Sequence, residues 1–376
     1  MKTPIYDEHV KLGAKMTDFA GWMMPLWYPS GQTAEHQATR NACGLFDICH
    51  MGEFRIRGAG SLAFLNGMLT NHVQGMQDGQ AMYHLMLNEQ GGVLDDCILY
   101  RFSEDDWMLV VNASNIESDF KWLKKHAPGD VPLEDISPQT VKLDLQGPGS
   151  PEILANWMDR QKLSALRFFR FITSADLNGI PVLVSRTGYT GEIGFELYMD
   201  VKYGVRLWNL LLEAGKSKGL AACGLAARDT LRTEAGLPLH GHEMRPDLPA
   251  AGHPWTFAIH WDKEFIGKKA LVKNRDENKG PWILGFALDG RRKAMPGCRV
   301  LHQNRPIGHV TSGVISPSLN NRPIGFFEST IQLETGAFIE FQQEGKDEKL
   351  AGAVAAVPFV PLTSRKKMSD FLPMAG

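Results

Sequence analysis

Two stretches of the 376-residue chain combine residue types that do chemistry. The first is Asp95-Asp96, an acidic pair inside an otherwise apolar run over 93–100. Side chains alternate across a strand, so these two point to opposite faces. One is free to stay in water while its neighbour enters a pocket. A carboxylate that loses water has a raised pKa and exchanges protons near neutral pH. The competing reading is a strand start with two surface acids. The second stretch is Arg186-Thr-Gly-Tyr-Thr-Gly-Glu-Ile-Gly-Phe-Glu196. Its glycines let the backbone bend and approach a ligand closely. Tyr189 offers a flat face with a polar tip. Glu196, in a strand after the turn, can accept two parallel hydrogen bonds from an amidine-like ring edge. The plain alternative is a glycine-rich hairpin with an exposed Glu. A phosphate loop is excluded, because no Gly-Lys-Ser/Thr closes the stretch.

Other motifs carry less. His240-Gly-His242-Glu243 has ligand-type side chains, but no further ligand follows at suitable spacing, so a turn with satisfied histidines and no metal is expected. Gly58-Ala-Gly60 is too short for a dinucleotide fingerprint, and Ser312, Ser316 and Ser318 lack a nucleophile elbow. Ser364-Arg-Lys-Lys367 is the clearest basic cluster. It reads either as a solvated tail or as a partner for the carboxylates of an acidic ligand or protein.

The elements that must position these residues follow from local pattern. Helices are expected over 6–12, 32–41, 61–69, 115–125, 205–214 and 226–235. In the 115–125 helix, Asp119, Lys121 and Lys124 suggest a solvated face. Strands are expected over 51–57, 82–87, 93–102, 107–112, 141–145, 180–185 and 195–199. The stretch 19–29 is aromatic and proline-containing, and 240–254 is proline-rich and irregular. A polar, turn-rich boundary falls at 274–281. Short strands follow it at 282–288, 298–302, 308–311, 338–341 and 351–357, spaced as in a small β-barrel. Strands and helices mix without regular alternation, so the fold class is α+β.

Bulk properties bound the function. The length suits two or three domains. Hydrophobic residues make up 43% of the chain, enough for a large core, and the formal net charge of −2 gives no global field for nucleic acid or anionic membrane. Five cysteines without a CxxC argue against a disulfide framework or zinc ribbon. No apolar run is long enough to span a membrane, and residues 1–9 lack the apolar core of a leader, so a cytoplasmic location is expected.

Together these residues resemble the aminomethyltransferase family, the T-protein of the glycine cleavage system. The resemblance rests on Asp18-Phe-Ala-Gly-Trp22, Gly44-Leu-Phe-Asp47, His50-Met-Gly-Glu53, Asn88-Glu-Gln-Gly-Gly-Val-Leu-Asp-Asp96, Leu145-Gln-Gly-Pro148, Ser185-Arg-Thr-Gly-Tyr-Thr-Gly-Glu192, Ala227-Arg-Asp-Thr-Leu-Arg232 and Asp262-Lys-Glu-Phe-Ile-Gly-Lys268. It implies a three-domain, cloverleaf-like fold around a central folate channel. We expect a first unit from 1–50 and 138–245, a second from 51–137 that carries Asp96, a connecting segment 246–280 and a barrel over 281–376. The implied reaction passes an aminomethyl group from the lipoyl arm of a carrier protein, the H-protein, to tetrahydrofolate as co-substrate. Asp96 is then the key carboxylate, and Glu196 reads the pterin edge. Met51, Tyr100, Val110, Asn112, Tyr189, Arg228 and Trp255 match positions that line the channel.

The chain departs from the family's usual pattern at Pro249-Ala-Ala-Gly-His-Pro254, where Ala251 replaces a Glu, and at Arg322-Pro-Ile-Gly-Phe-Phe-Glu328. Ala251 takes that place if the prolines are matched; an ungapped match back from Phe257-Ala-Ile259 puts Gly252 at the Glu and Phe257, rather than Trp255, at the Trp. This change leaves room for a rival, a folate-dependent demethylase with another small donor. A non-catalytic folate binder is a second rival. The cysteine motif of such relatives is absent at Lys263-Glu-Phe-Ile-Gly-Lys268.

Overall fold

The computed structural model describes residues 1–278 and 280–372. Lys279, at the expected polar boundary, and 373–376 at the end of the expected barrel segment lie outside the described residues. Three large sheets, besides a two-stranded hairpin, organise the described residues.

The first sheet has six strands in the order Phe171–Asp176, Pro181–Ser185, Gly194–Asp200, Thr140–Gln146, Cys43–Asp47 and Leu220–Cys223. All neighbours are antiparallel except the last, where Leu220 pairs in parallel with Cys43. Period-two alternation sets its faces. Val141, Leu143 and Leu145, with Phe195, Leu197 and Met199, bury into one core together with the helix Gly204–Gly215. The other face carries Lys142, Asp144 and Gln146 opposite Tyr198, Glu196 and Gly194.

The second sheet has five strands in the order Gln80–Leu87, Val93–Ser103, Asp106–Val111, Gly52–Arg57 and Leu133–Asp135. One face, with Cys97, Leu99, Trp107, Leu109, Phe54 and Ile56, packs on the helices Ser61–Met68 and Ile116–His126. The opposite face turns towards the first sheet. Tyr100, Met108 and Val110 share one apolar cluster with Leu183 and Tyr198 of that sheet, flanked by Met51. The cleft between the two sheets therefore has a mostly apolar wall from the second sheet and, from the first, the polar side chains Lys142, Asp144 and Gln146, which local alternation alone would send to solvent.

The third sheet closes into a barrel of Trp282–Leu288, Arg322–Ser329, Arg305–Ser316, Arg299–His302, Phe338–Gln342 and Lys349–Ala355. Closure removes the exposed edges that short strands otherwise leave. The mixture of helices and sheets with a terminal barrel matches the expected α+β class. Residues Leu248, Trp255, Phe265 and Leu271, with Leu85, Leu87 and Val93 of the second sheet and Ile283 and Phe326 of the barrel, form one cluster.

Several elements differ from the sequence reading. The aromatic, proline-containing stretch 19–29, to which local pattern assigns no element, contributes to a hairpin of Lys15–Phe19 and Trp22–Trp27. The barrel strand Arg322–Ser329 has no alternation to reveal it, because seven of its eight residues are at least half-buried behind an opening Arg-Pro, and most are fully so. Asp119 does not lie on a solvated face. It is buried, because Ile116, Phe120 and Leu123 fix the inward stripe of its helix, and Asp119 falls at the same helical spacing.

Candidate active site

Asp96, Ile98 and Tyr100 occupy alternate positions of the strand Val93–Ser103, so all three look into the cleft. The carboxylate of Asp96 is half-buried. It accepts from Tyr83 (Oη to Oδ2, 3.0 Å) and from Asn112 (Nδ2 to Oδ1, 2.9 Å). Burial, then the nearby Asp95 charge, raise its pKa to about 6 against the pull of His240, Tyr83 and Asn112. It thus sits where a carboxyl exchanges protons under ordinary conditions.

Asp95 is not the solvated neighbour that alternation allowed; it is fully buried. It accepts from the Asn112 backbone N–H (2.9 Å), the Asn112 amide (2.8 Å) and the Asn115 amide (2.8 Å). Asp119 lies in hydrogen-bond contact with it, and burial together with Asp95 pushes the Asp119 carboxyl up to about 11. Asp119 therefore keeps its proton at neutral pH. The result is a braced platform: the side chain of Asn112 touches both Asp95 and Asp96 and fixes the latter's aim.

At the other end of the cleft, Glu196 is 3% exposed. Its Oε2 accepts from Tyr100 Oη (3.0 Å), Tyr198 Oη (2.8 Å) and Thr187 Oγ1 (2.9 Å), and Lys142 Nζ stands 3.7 Å away. All four contacts fall on Oε2, leaving Oε1 for a further donor. Burial disfavours the charge, but Lys142 and the three hydroxyls outweigh it and hold the carboxyl below its usual range. Tyr189 lies beneath the Arg228 guanidinium, 4.7 Å from ring centre to carbon, and its hydroxyl donates to the Pro238 carbonyl. Arg228 in turn pairs with Asp144 at 2.9 Å.

The expected site residues thus gather in groups. Asp96 meets Asn112; Tyr100 meets Glu196; Met51 and Val110 flank Tyr100; Tyr189 stacks with Arg228. Trp255 packs apart from them. Its indole donates to the Gly236 carbonyl (2.9 Å) and its ring meets Phe326 and His253. The exposed Phe257 instead lies over Tyr83, with ring centres 6.0 Å apart.

Gly191 bends the 186–194 loop at φ +78°, and Gly188 and Gly194 make room for another side chain. A Cβ at Gly188 or Gly194 would sit 2.2 or 2.4 Å from the Gln146 side chain. The close approach is to Gln146, which donates to the Thr187 carbonyl (3.0 Å) and accepts from Thr190 (2.9 Å). Arg186 donates to the carbonyls of Leu166, Ser364 and Lys366, so it fastens the backbone of the basic run 364–367. His240 and His242 are each held by protein groups, and Glu243 accepts from Arg232, Leu239 and Thr311. Among the described residues no three His, Cys, Asp or Glu side chains converge to hold a metal. Tyr83, Lys142 and Asp144 were missed in the sequence. Lys142 and Asp144 stand at alternate positions of the strand Thr140–Gln146, a pattern that reads as a wetted face rather than a site.

The two facing sheets thus bring a carboxyl with its pKa raised to about 6 and a buried acceptor carboxylate to one candidate active site. Comparison with known proteins gives its family. The GCVT N-terminal domain family matches residues 5–263. An aminomethyltransferase of Caldanaerobacter subterraneus subsp. tengcongensis is 44% identical over 320 residues, 85% of each chain. Another, from Anoxybacillus flavithermus, is 42% identical over 364 residues, 96% of this chain and 99% of its own. The crystal structure of glycine cleavage system aminomethyltransferase T from Bartonella henselae superposes with a TM-score of 0.89 at 34% identity, covering 97% of this chain and 99% of that one. The chain belongs to the aminomethyltransferase family of tetrahydrofolate-dependent transferases.

Proposed function

We propose that the chain transfers the aminomethyl carbon from the lipoyl arm of the glycine cleavage carrier, the H-protein, to tetrahydrofolate, with release of ammonia and formation of methylenetetrahydrofolate. The observation that carries this reading is the placement of Asp96 and Glu196 at two ends of one cleft. Tyr100, which donates to Glu196, lies four residues from Asp96 on the same strand face, about 13 Å along the strand. A fused two-ring heterocycle with a hydrogen-bonding contact at each end suits that span.

The donor set fits the folate. Glu196 Oε1 and the Tyr100, Tyr198 and Thr187 hydroxyls meet the N–H donors of an aminopyrimidinone edge. Met51, Met108 and Val110 supply apolar walls. When bound, tetrahydrofolate supplies the nucleophilic nitrogen that takes up the carbon. Asp96 stabilises the positive charge that develops as the carbon–nitrogen bond of the donor breaks, and the Tyr83 and Asn112 hydrogen bonds hold it in place for this. Phe257 and Tyr83 form an apolar lip on the Asp96 side, suited to a thioether-bearing arm. The three sheets are read as three domains, 1–50 with 138–245, 51–137 and 281–376, joined by 246–280. A cytoplasmic location belongs to the same reading. No helix among the described residues is long and apolar enough to cross a membrane.

The test is a coupled assay with lipoylated, aminomethyl-loaded carrier and tetrahydrofolate, following ammonia. Folate-dependent release that Asp96→Asn abolishes is the expected result. Folate binding without release from the loaded carrier would refute this donor and favour a free small-molecule one.

A further inference from the structure

Lys142 has no part in the mechanism above, yet its position is costly. Its side chain is 1% exposed, on a strand whose neighbouring side chains Val141 and Leu143 enter the apolar core. An ammonium group without water keeps its charge only beside an anion. Nζ lies 3.7 Å from Glu196 Oε2, 3.6 Å from Met51 Sδ and 5.0 Å from the Tyr198 ring centre. Two other acids face this region. Asp144 is paired with Arg228 at 2.9 Å, and burial raises its carboxyl to about 7, so it is at most partly charged at neutral pH. Glu53 is pushed up to about 8 by burial and is neutral at pH 7. Glu196 is the anion that remains.

We infer that Lys142 is the counter-ion that holds Glu196 ionised, and that this pair makes the cleft select a ring edge presenting N–H donors. The inference rests on the folate reading and names the residue through which that site discriminates. Tyr100, Tyr198 and Thr187 do not settle the charge of Glu196 by themselves. Their hydrogen bonds favour the carboxylate, but a hydroxyl can also rotate to accept from an acid and carries no net charge to oppose burial. An ammonium group only donates. Its full positive charge favours the carboxylate far more than the neutral acid, which no hydroxyl can do. A protonated Glu196 would offer one oxygen and one O–H to a ligand, and the O–H would meet an N–H donor head-on. Lys142 acts through Glu196 and is a positioning residue.

The experiment compares tetrahydrofolate affinity of wild type, Lys142→Met, Glu196→Gln and the double variant by calorimetry between pH 6 and pH 8.5. Methionine matches the buried length of lysine, and thermal unfolding of each variant checks that the fold is kept. Without the ammonium, burial carries the Glu196 carboxyl upwards, so the acid form accumulates at low pH. The expected result is binding weakened about tenfold at pH 6, the equivalent of one pKa unit, with recovery as pH rises. Glu196→Gln should bind weakly at every pH, and adding Lys142→Met to it should introduce no new pH dependence. A folded Lys142→Met that loses affinity equally at all pH values, or loses none, overturns the inference while leaving the folate reading intact. Failure of the wild type to bind tetrahydrofolate would overturn the folate reading itself, and the selection inferred from it.

Discussion

Asp96 meets Tyr83 and Asn112 with its two oxygens and has the Asp95 charge behind it, and these contacts set its behaviour. In the proposed reaction its ionised form stabilises developing positive charge, so kcat/KM should rise tenfold per pH unit below about 6, the value to which burial and Asp95 lift it, and level off above. A pH–rate profile with no inflection near 6 would contradict this. Asp96→Asn keeps the shape and removes the charge, and turnover should fall on the order of a hundredfold. Asp119 gives a sharper contrast. As a protonated donor to Asp95 it is replaceable by Asn, so Asp119→Asn should leave stability and turnover near wild type. Asp119→Ala withdraws a partner from a buried charge and should lower stability by about 1–2 kcal/mol in urea unfolding. Equal losses in both variants would refute the donor role. Asp96 and Glu196 were legible because unusual residue patterns surround them. Lys142 and Asp144 were not, because a polar residue at every second strand position looks like a wetted face until a second sheet covers it.

The helix Leu225–Glu234 shows how elements are tied together. At its last residue, Glu234 accepts from Arg40 (2.9 Å) of the helix Gln32–Asn41 and from Ser316 Oγ (2.5 Å) and the Ser318 N–H (3.1 Å) at the end of a barrel strand. Arg40 also reaches Glu192 (2.8 Å) and the Thr190 carbonyl (2.7 Å), which anchors the loop that precedes Glu196. Burial opposes the Glu234 charge, but His36, Arg40 and Ser316 bring its pKa down to about 2. The folded value lies below the unfolded one of about 4.3, so the stabilisation is present above that pH and is lost as pH falls towards 2. Glu234→Gln should cost about 3 kcal/mol at pH 7, the energy of roughly two pKa units, and the gap to wild type should narrow as pH falls to 3. A gap that stays constant with pH would show that the ion pair contributes nothing. Local pattern identified both helices, since each has a clear inward stripe. The strands Cys43–Asp47 and Leu220–Cys223 escaped it. The first is five residues buried on every side, and the second is four residues, three of them small, at a parallel edge, so neither has a period to detect.

Across the whole molecule, the cleft depends on chain segments far apart in sequence. Cys43–Asp47 lies between Thr140–Gln146 and Leu220–Cys223, so the first sheet closes only after the intervening second sheet has been formed or bypassed. Such pairings are set by burial of complete faces rather than by local propensity. The barrel was legible from short strands spaced along the chain, but its strand order, which joins Trp282–Leu288 to both Arg322–Ser329 and Lys349–Ala355, was not. Because Glu196 belongs to one sheet and Tyr100, Asn112 and Asp96 to the region of the other, a ligand that touches both ends of the cleft must stabilise their juxtaposition. Tetrahydrofolate at a hundredfold excess over its Kd should therefore add about 2.7 kcal/mol to unfolding. Hydrogen exchange should slow in both Gly194–Asp200 and Val93–Ser103. Glu196→Gln should abolish the ligand-induced shift in both strands together. Protection confined to one sheet would mean that the ligand sits on that face alone, and the two-ended cleft would be wrong.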